Sequence, residues 1–221
     1  MNKVIRKLKS VLSDVEGSEI RNKVIMYRFV AIAAVCALTA FAVGCGTTPS
    51  SRFYTLSAAT TPAATSSNLS VAVGPVSVPA VVDRPQIVVS TSANQVALDE
   101  FNRWAAPLQN TISRVVAENL VALLGTPRVT LVPQTLSADA DYRAAIEVQS
   151  FESVPGEAAT LDAVWTVRRA KDGKTETGRT TAREAVQEKS YDALAAAHSR
   201  AVARLSQDIA TAVRALDRSA P

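Results

Sequence analysis

The feature that most limits what this chain can fold into is the apolar run Phe29–Val43, fifteen residues long. As a helix rising ~1.5 Å per residue it would cover roughly 22 Å, short of the ~30 Å hydrocarbon core of a bilayer. Arg28 stands just ahead of the run, and small residues close it. A basic n-region, an apolar h-region and a small-residue cleavage region, in that order, read as a secretory signal over residues 1–44. Such a segment is removed, so the folded protein has to be built from the residues beyond it.

The residues that close the run, Ala42-Val43-Gly44-Cys45, resemble the lipobox of bacterial lipoproteins. In a lipobox the chain is cut before the cysteine, and the cysteine is acylated. The resemblance therefore implies a lipid on Cys45, palmitate among its chains; no other cofactor is expected. Ala42 stands where Leu is usual. Gly46, which is not Asp, implies carriage to the outer membrane. Cys36 lies inside the h-region and leaves with the signal. The mature chain then has neither free thiol nor disulfide, which suits an oxidising compartment and excludes thiol catalysis and cysteine–metal sites. Residues 1–25 precede Met26, and MYRFVAIAAV reads as an ordinary signal start. Translation from Met26 is the expectation, the alternative being an unusually long n-region.

Removal of the signal also changes the charge. Residues 1–44 hold seven of the 24 Lys+Arg and three of the 20 Asp+Glu, leaving 17 of each in the mature chain. Nucleic-acid binding needs a clustered basic surface, so no nucleic-acid partner is expected. The remaining 177 residues, Cys45 to Pro221, suffice for one core that buries about 70% of the unfolded surface.

Residues 45–68 are read as the lipidated cysteine, a short polar tether, a strand-like piece at Arg52–Leu56, and a flexible loop, SAATTPAATSSN. Residues 69–221 form the domain. Leu69–Val78 alternates and is rich in Val, with Gly74-Pro75 marking a bulge or an edge. Residues 86–91 and 94–98 read as a hairpin. From Pro107 apolar residues recur at Leu108, Ile112, Val115, Val116, Leu120 and Leu123, a helix that Gly125 and Pro127 end. Strands come next at 128–132, 142–151, 160–169 and 176–187, the third and fourth joined by a turn at Asp172-Gly173. Tyr191–Leu216 is a long amphipathic helix with Ser190 as N-cap. Its inward stripe is Tyr191, Leu194, His198, Val202, Leu205, Ile209, Val213 and Leu216. The order predicts an α+β fold: a mainly antiparallel or mixed sheet with two long helices packed on one face.

No catalytic constellation is visible. His198 is the only histidine and sits on the inward stripe, where a packed role outweighs a general base. Asp139 and Asp141 lack the glycine and spacing of a calcium loop, no His/Cys cluster suits zinc, and no glycine-rich phosphate cradle follows a strand. No catalytic or metal-ligating residue is therefore assigned.

Three stretches resemble the ABC-type transport auxiliary lipoproteins, the family of paraquat-inducible protein C. They are Phe53-Tyr54-Thr55-Leu56, then Val78-Pro79 with Asp83-Arg84-Pro85-Gln86-Ile87-Val88, and Trp104-Ala105-Ala106-Pro107-Leu108 opening a helix. Val81 and Val82 depart from the aromatic and the Leu common there. The resemblance implies a non-enzymatic lipoprotein on the periplasmic side of the outer membrane. It would serve an inner-membrane ABC transporter and its MCE-domain partner, which cross the periplasm with lipid or another hydrophobic solute. It leaves a homo-oligomer open.

Asp83, Arg84, Pro85, Gln86 and Trp104 are the candidate partner-binding residues. Arg84-Pro85-Gln86 reads equally as a loop that Pro stiffens for a partner or as a turn leading into a strand. Trp104 reads as an interface anchor or, with more weight, as a core plug at the helix start. A rival function is an outer-membrane lipoprotein that activates a cell-wall synthase. That role needs a long tether, and FYTL interrupts residues 46–68 early. A periplasmic hydrolase is a third, opposed by the single histidine.

Overall fold

The computed structural model describes residues 26–33, 49–64, 66–134 and 137–219. It divides into two units, residues 1–49 and 50–221. In the first, 26–33 is an exposed helix, α1. The rest of the apolar run, the lipobox and both cysteines lie outside the described residues. No helix among the described residues is long and apolar enough to cross a membrane.

The second unit is α+β. Eight strands, β1 (Arg52–Tyr54), β2 (Val71–Ser77), β3 (Gln86–Ser92), β4 (Gln95–Trp104), β5 (Val129–Leu131), β6 (Tyr142–Val154), β7 (Ala158–Arg169) and β8 (Thr175–Ala185), surround helices α2 (Leu108–Leu124) and α3 (Tyr191–Arg218). The strands make two sheets, β1-β4-β3 and β5-β2-β6-β7-β8. Half of the pairings, β1/β4, β2/β5 and β2/β6, are parallel. The sheets are thus mixed, and the division into two is not evident from strand order, because β1 pairs with β4 past β2, which joins the other sheet.

Both helices pack on the five-stranded sheet and on each other. α2 starts after Pro107, whose missing N–H costs nothing in a first turn, and ends at Gly125. It buries Leu108, Ile112, Val115, Val116, Leu120 and Leu124; Leu123, expected inward, is only half-buried. α3 is capped by Ser190, whose hydroxyl accepts from Ala193 N at 3.1 Å. Every residue of its expected stripe is buried except Tyr191, which is half-buried.

Two irregularities set which side chains reach the core. In β2 the register against β6 shifts between Val73 and Val76, around Gly74-Pro75, in a strand that lies inside the sheet and not at its edge. In β6 a shift between Val148 and Ser150 reverses the alternation. Tyr142, Ala144, Ile146 and Val148 face inward before it, and Phe151 and Ser153 do so after it. The β7–β8 turn forms at Asp172-Gly173 as expected, with Gly173 at φ 74°. Arg169 at its base forks onto the Asp172 carboxylate and donates to the Leu216 carbonyl near the end of α3.

The described residues of 57–68 form no helix or strand but are held along α2 and at one point to α3. Ser57 N donates to Ser199 Oγ (3.1 Å), Ala59 N to Asn119 Oδ1 (3.1 Å), Ala63 N to Ala122 O (2.8 Å) and Ser67 N to Gly125 O (2.9 Å). Leu56 is fully buried. The compact unit therefore begins at Ser50, ahead of the Leu69 boundary drawn from composition.

Candidate functional site

Three backbone segments meet at one end of the small sheet. The turn before β3 is folded by Val82 N and Asp83 N, which both donate to Pro79 O, and by Arg84 N, which donates to Val82 O. Trp104 N then donates to Pro85 O at 2.7 Å, and Ala105 N to Tyr54 O at 2.8 Å. These bonds bring the ends of β1, β3 and β4 together just where Pro107 opens α2. Asp83, Arg84, Pro85, Trp104 and the Ala105–Pro107 turn line an open cavity of about 390 Å³ between them.

Four of the five expected partner-binding residues are thus brought together. Gln86 is not among the lining residues: it starts β3 and its amide donates to Glu100 Oε2 at 3.2 Å. Asp83, Arg84 and Pro85 are exposed. Trp104 is 6% exposed, so it is a wall of the cavity and not a projecting anchor. Its ring stands edge-on to Phe151 (6.2 Å between centroids, 71°) and to His198 (6.4 Å, 73°). Of the two departures in this turn, Val82 is buried and Val81 is exposed.

Behind Trp104 lies an arrangement that the sequence marked only at His198. His198 is stacked flat on Phe151, 3.8 Å between centroids at 10°. Its Nε2 lies 2.8 Å from Ser153 Oγ, while Nδ1 has no hydrogen-bond partner among the described residues. A serine within hydrogen-bond reach of a histidine is half of a nucleophilic triad, but the other requirements fail here. His198 is 0% exposed, no carboxylate orients its second nitrogen, and burial pushes its pKa down to about 3. A ring that stays neutral at pH 7 and holds its proton so weakly is a poor general base. The pair is a packing element. Its one advance sign is His198 on the apolar stripe; the bulge that turns Ser153 toward it is invisible in the composition.

The face of the small sheet next to the cavity is held by a polar network. Tyr54 Oη donates to Asn102 Oδ1 (2.9 Å), and its ring lies 6.0 Å from that of Tyr191. Asp99 accepts from Phe101 N, Asn102 N and Asn102 Nδ2 at 2.8–3.0 Å. Burial opposes the charge on Asp99, but those donors hold its pKa below the usual carboxylate range. Burial, and then Asp99, push the Tyr191 hydroxyl up to about 12. This network locks β1 and β4 to the start of α3. Among the described residues no group of three His, Cys, Asp or Glu side chains is gathered to hold a metal ion.

Comparison with known proteins accords with this arrangement. A family model described as the ABC-type transport auxiliary lipoprotein component matches residues 54–210. The chain belongs to this family. The family match takes in the cavity, its wall, α2 and most of α3, and the family is one of transport auxiliary components. No curated protein matches it in sequence. Two crystal structures share its fold. One, of an uncharacterized protein, has 21% identity and a TM-score of 0.62, covering 75% of this chain and 99% of its own. The other, a Xanthomonas campestris protein of the DUF330 family, has 20% identity and a TM-score of 0.63, covering 76% and 99%. A PelC dodecamer from Paraburkholderia phytofirmans matches at 15% identity and a TM-score of 0.39, over 68% of this chain and 92% of its own.

Proposed function

We propose that this protein is a non-enzymatic lipoprotein, held on the periplasmic face of the outer membrane by a lipid on Cys45. There it serves as the accessory subunit of an ABC transporter that moves lipid or another hydrophobic solute across the envelope through an MCE-domain protein. Membership of the transport auxiliary lipoprotein family is the observation that carries this reading. Two features of the domain support it. The nearest approach to a nucleophile and base, Ser153 and His198, is sealed from solvent. The exposed turn Asp83-Arg84-Pro85, by contrast, stands beside an open cavity walled by Trp104.

In this reading the turn and cavity are the docking site for the MCE-domain protein. Pro85 limits the turn's freedom, so little order is lost on binding, and Arg84 can pair with a carboxylate on the partner. The lipid raises the local concentration of the domain, so a small interface suffices. The expected test is a crosslinked pull-down from envelopes with a C-terminal tag. Recovery of an MCE-domain protein or its ABC permease, lost on Arg84→Ala, supports the proposal. Recovery of a cell-wall synthase alone overturns it. Cys45→Ser should lose function with the fold unchanged; full complementation by that variant would remove anchoring from the mechanism.

A further inference from the structure

We infer that the outer face of the β1-β4-β3 sheet, centred on Phe53, rests on the surface of an anionic phospholipid bilayer. The inference rests on the anchoring of the chain at Cys45 proposed above. Registration fixes the face. β1 pairs with β4 so that Tyr54 lies beside Trp104 and Phe53 beside Arg103. Tyr54 and Trp104 turn toward the core, so Phe53 and Arg103 turn away from it. Phe53 is 64% exposed, and Phe101, two residues before Arg103 in β4, is also exposed. Arg52, one residue before Phe53 in β1, is exposed but alternates to the other face.

The occupant follows from reach, area and charge. Phe53 lies eight residue steps beyond Cys45. Fully extended they span roughly 28 Å, so lipid on Cys45 keeps Phe53 within a domain's width of the bilayer. A second copy or a large protein partner is disfavoured by area. The exposed apolar side chains of this sheet, Phe53, Val96, Leu98 and Phe101, offer roughly 350 Å², less than half the ~800 Å² per partner of a standard interface. For a tethered domain a single aromatic entering the headgroup region needs no such area. Arg103 stands beside Phe53 on this face and suits phosphate, while also lying 3.5 Å from Glu100. Docked in this way, the domain has one fixed orientation, and the tether alone would give none.

The test uses the mature lipidated chain in vesicles of phosphatidylethanolamine and phosphatidylglycerol that carry a nitroxide headgroup lipid. A fluorophore is placed at Gln86→Cys, which pairs with Arg103 on the same face, or at Val121→Cys, exposed on α2. Loss of most of the emission at 86 and little at 121 is expected. Phe53→Asp should abolish the difference, and Phe53→Trp should keep it. Equal quenching at both positions, or no effect of Phe53→Asp, overturns the proposal. So does a blue shift at 86 without vesicles, which would mean a second copy covers the face. The mass of the Cys45 peptide reports acylation separately. An unacylated Cys45 would sink the anchoring reading, and the same probes in a Cys36→Ser, Cys45→Ser chain added to vesicles would then read the face alone.

Discussion

The two sheets of this domain each hold one tryptophan, and the two are used differently. Trp165, in β7 of the five-stranded sheet, lies over Gly178 of β8, where an added methyl would overlap the indole. Its Nε1 donates to Thr180 Oγ1 at 3.0 Å, and Thr180 donates to Asp208 of α3 at 2.5 Å. The indole N–H is thus satisfied, and the ring ties sheet to helix. Trp104, at the end of β4, packs edge-on against Phe151 and His198 and gives its other side to the cavity. The large sheet is covered by both helices; the small one keeps Phe53, Val96, Leu98 and Phe101 in solvent. The large sheet is thus enclosed by the helices, while the small one adds Ile87, Val88, Val89 and Trp104 to the core and leaves part of its apolar surface in solvent.

The sharpest test of this contrast is at Trp104. If the ring belongs to the core as its burial says, Trp104→Ala should cost about 3–5 kcal/mol in chemical denaturation. An unchanged midpoint with lost partner capture would make it an interface residue instead.

Acid should act on the same cluster. His198 has an ordinary pKa of 6.5 when unfolded and about 3 when folded. Its contribution is complete above about pH 6.5 and falls by about 1.4 kcal/mol per pH unit as pH drops toward 3. The carboxylates held down by arginine, Asp162, Asp172 and Glu184, begin to respond only near their own ordinary range around 4. Denaturation midpoints between pH 7 and pH 5 thus isolate the histidine, and His198→Gln should flatten them.

A smaller loss is expected in the large sheet. Thr180→Val leaves Trp165 Nε1 and Asp208 without their shared partner and should cost about 1–3 kcal/mol. If the loss matched that of Trp104→Ala, the two tryptophans would not differ as described. The smallest effect on stability should come from the exposed face: Phe53→Asp should stay within about 0.5 kcal/mol of the parent in the same assay. A large loss there would mean that the side chain packs in solution against something of its own domain.

Much of this was legible in the residues. The order of strands and helices, the Asp172-Gly173 turn, Ser190 as N-cap and the α3 stripe all follow from short-range rules, and the structure repeats them. The gathering of Asp83, Arg84, Pro85 and Trp104 comes from resemblance, and the physical reason appears only with the bonds from Trp104 N to Pro85 O and from Ala105 N to Tyr54 O. Asn119 gave no signal. Its amide accepts from Ala59 N and Thr60 Oγ1 and donates to Ser206 Oγ, so it pins the 57–68 stretch to both helices. A mid-helix asparagine reads as neutral until its partners, up to 87 residues away, are in place.

By itself the sequence determined the secondary structure, the α+β class and the lipobox resemblance at Cys45, because periodicity, caps and motifs act over a few residues. Tertiary structure decided that there are two sheets, that 50–68 belongs to the domain, and that a bulge at 148–150 turns Phe151 and Ser153 onto His198. It also decided which face of β1 is left in solvent. Each of these depends on pairing between distant strands, where a shift of one residue exchanges the buried face for the exposed one.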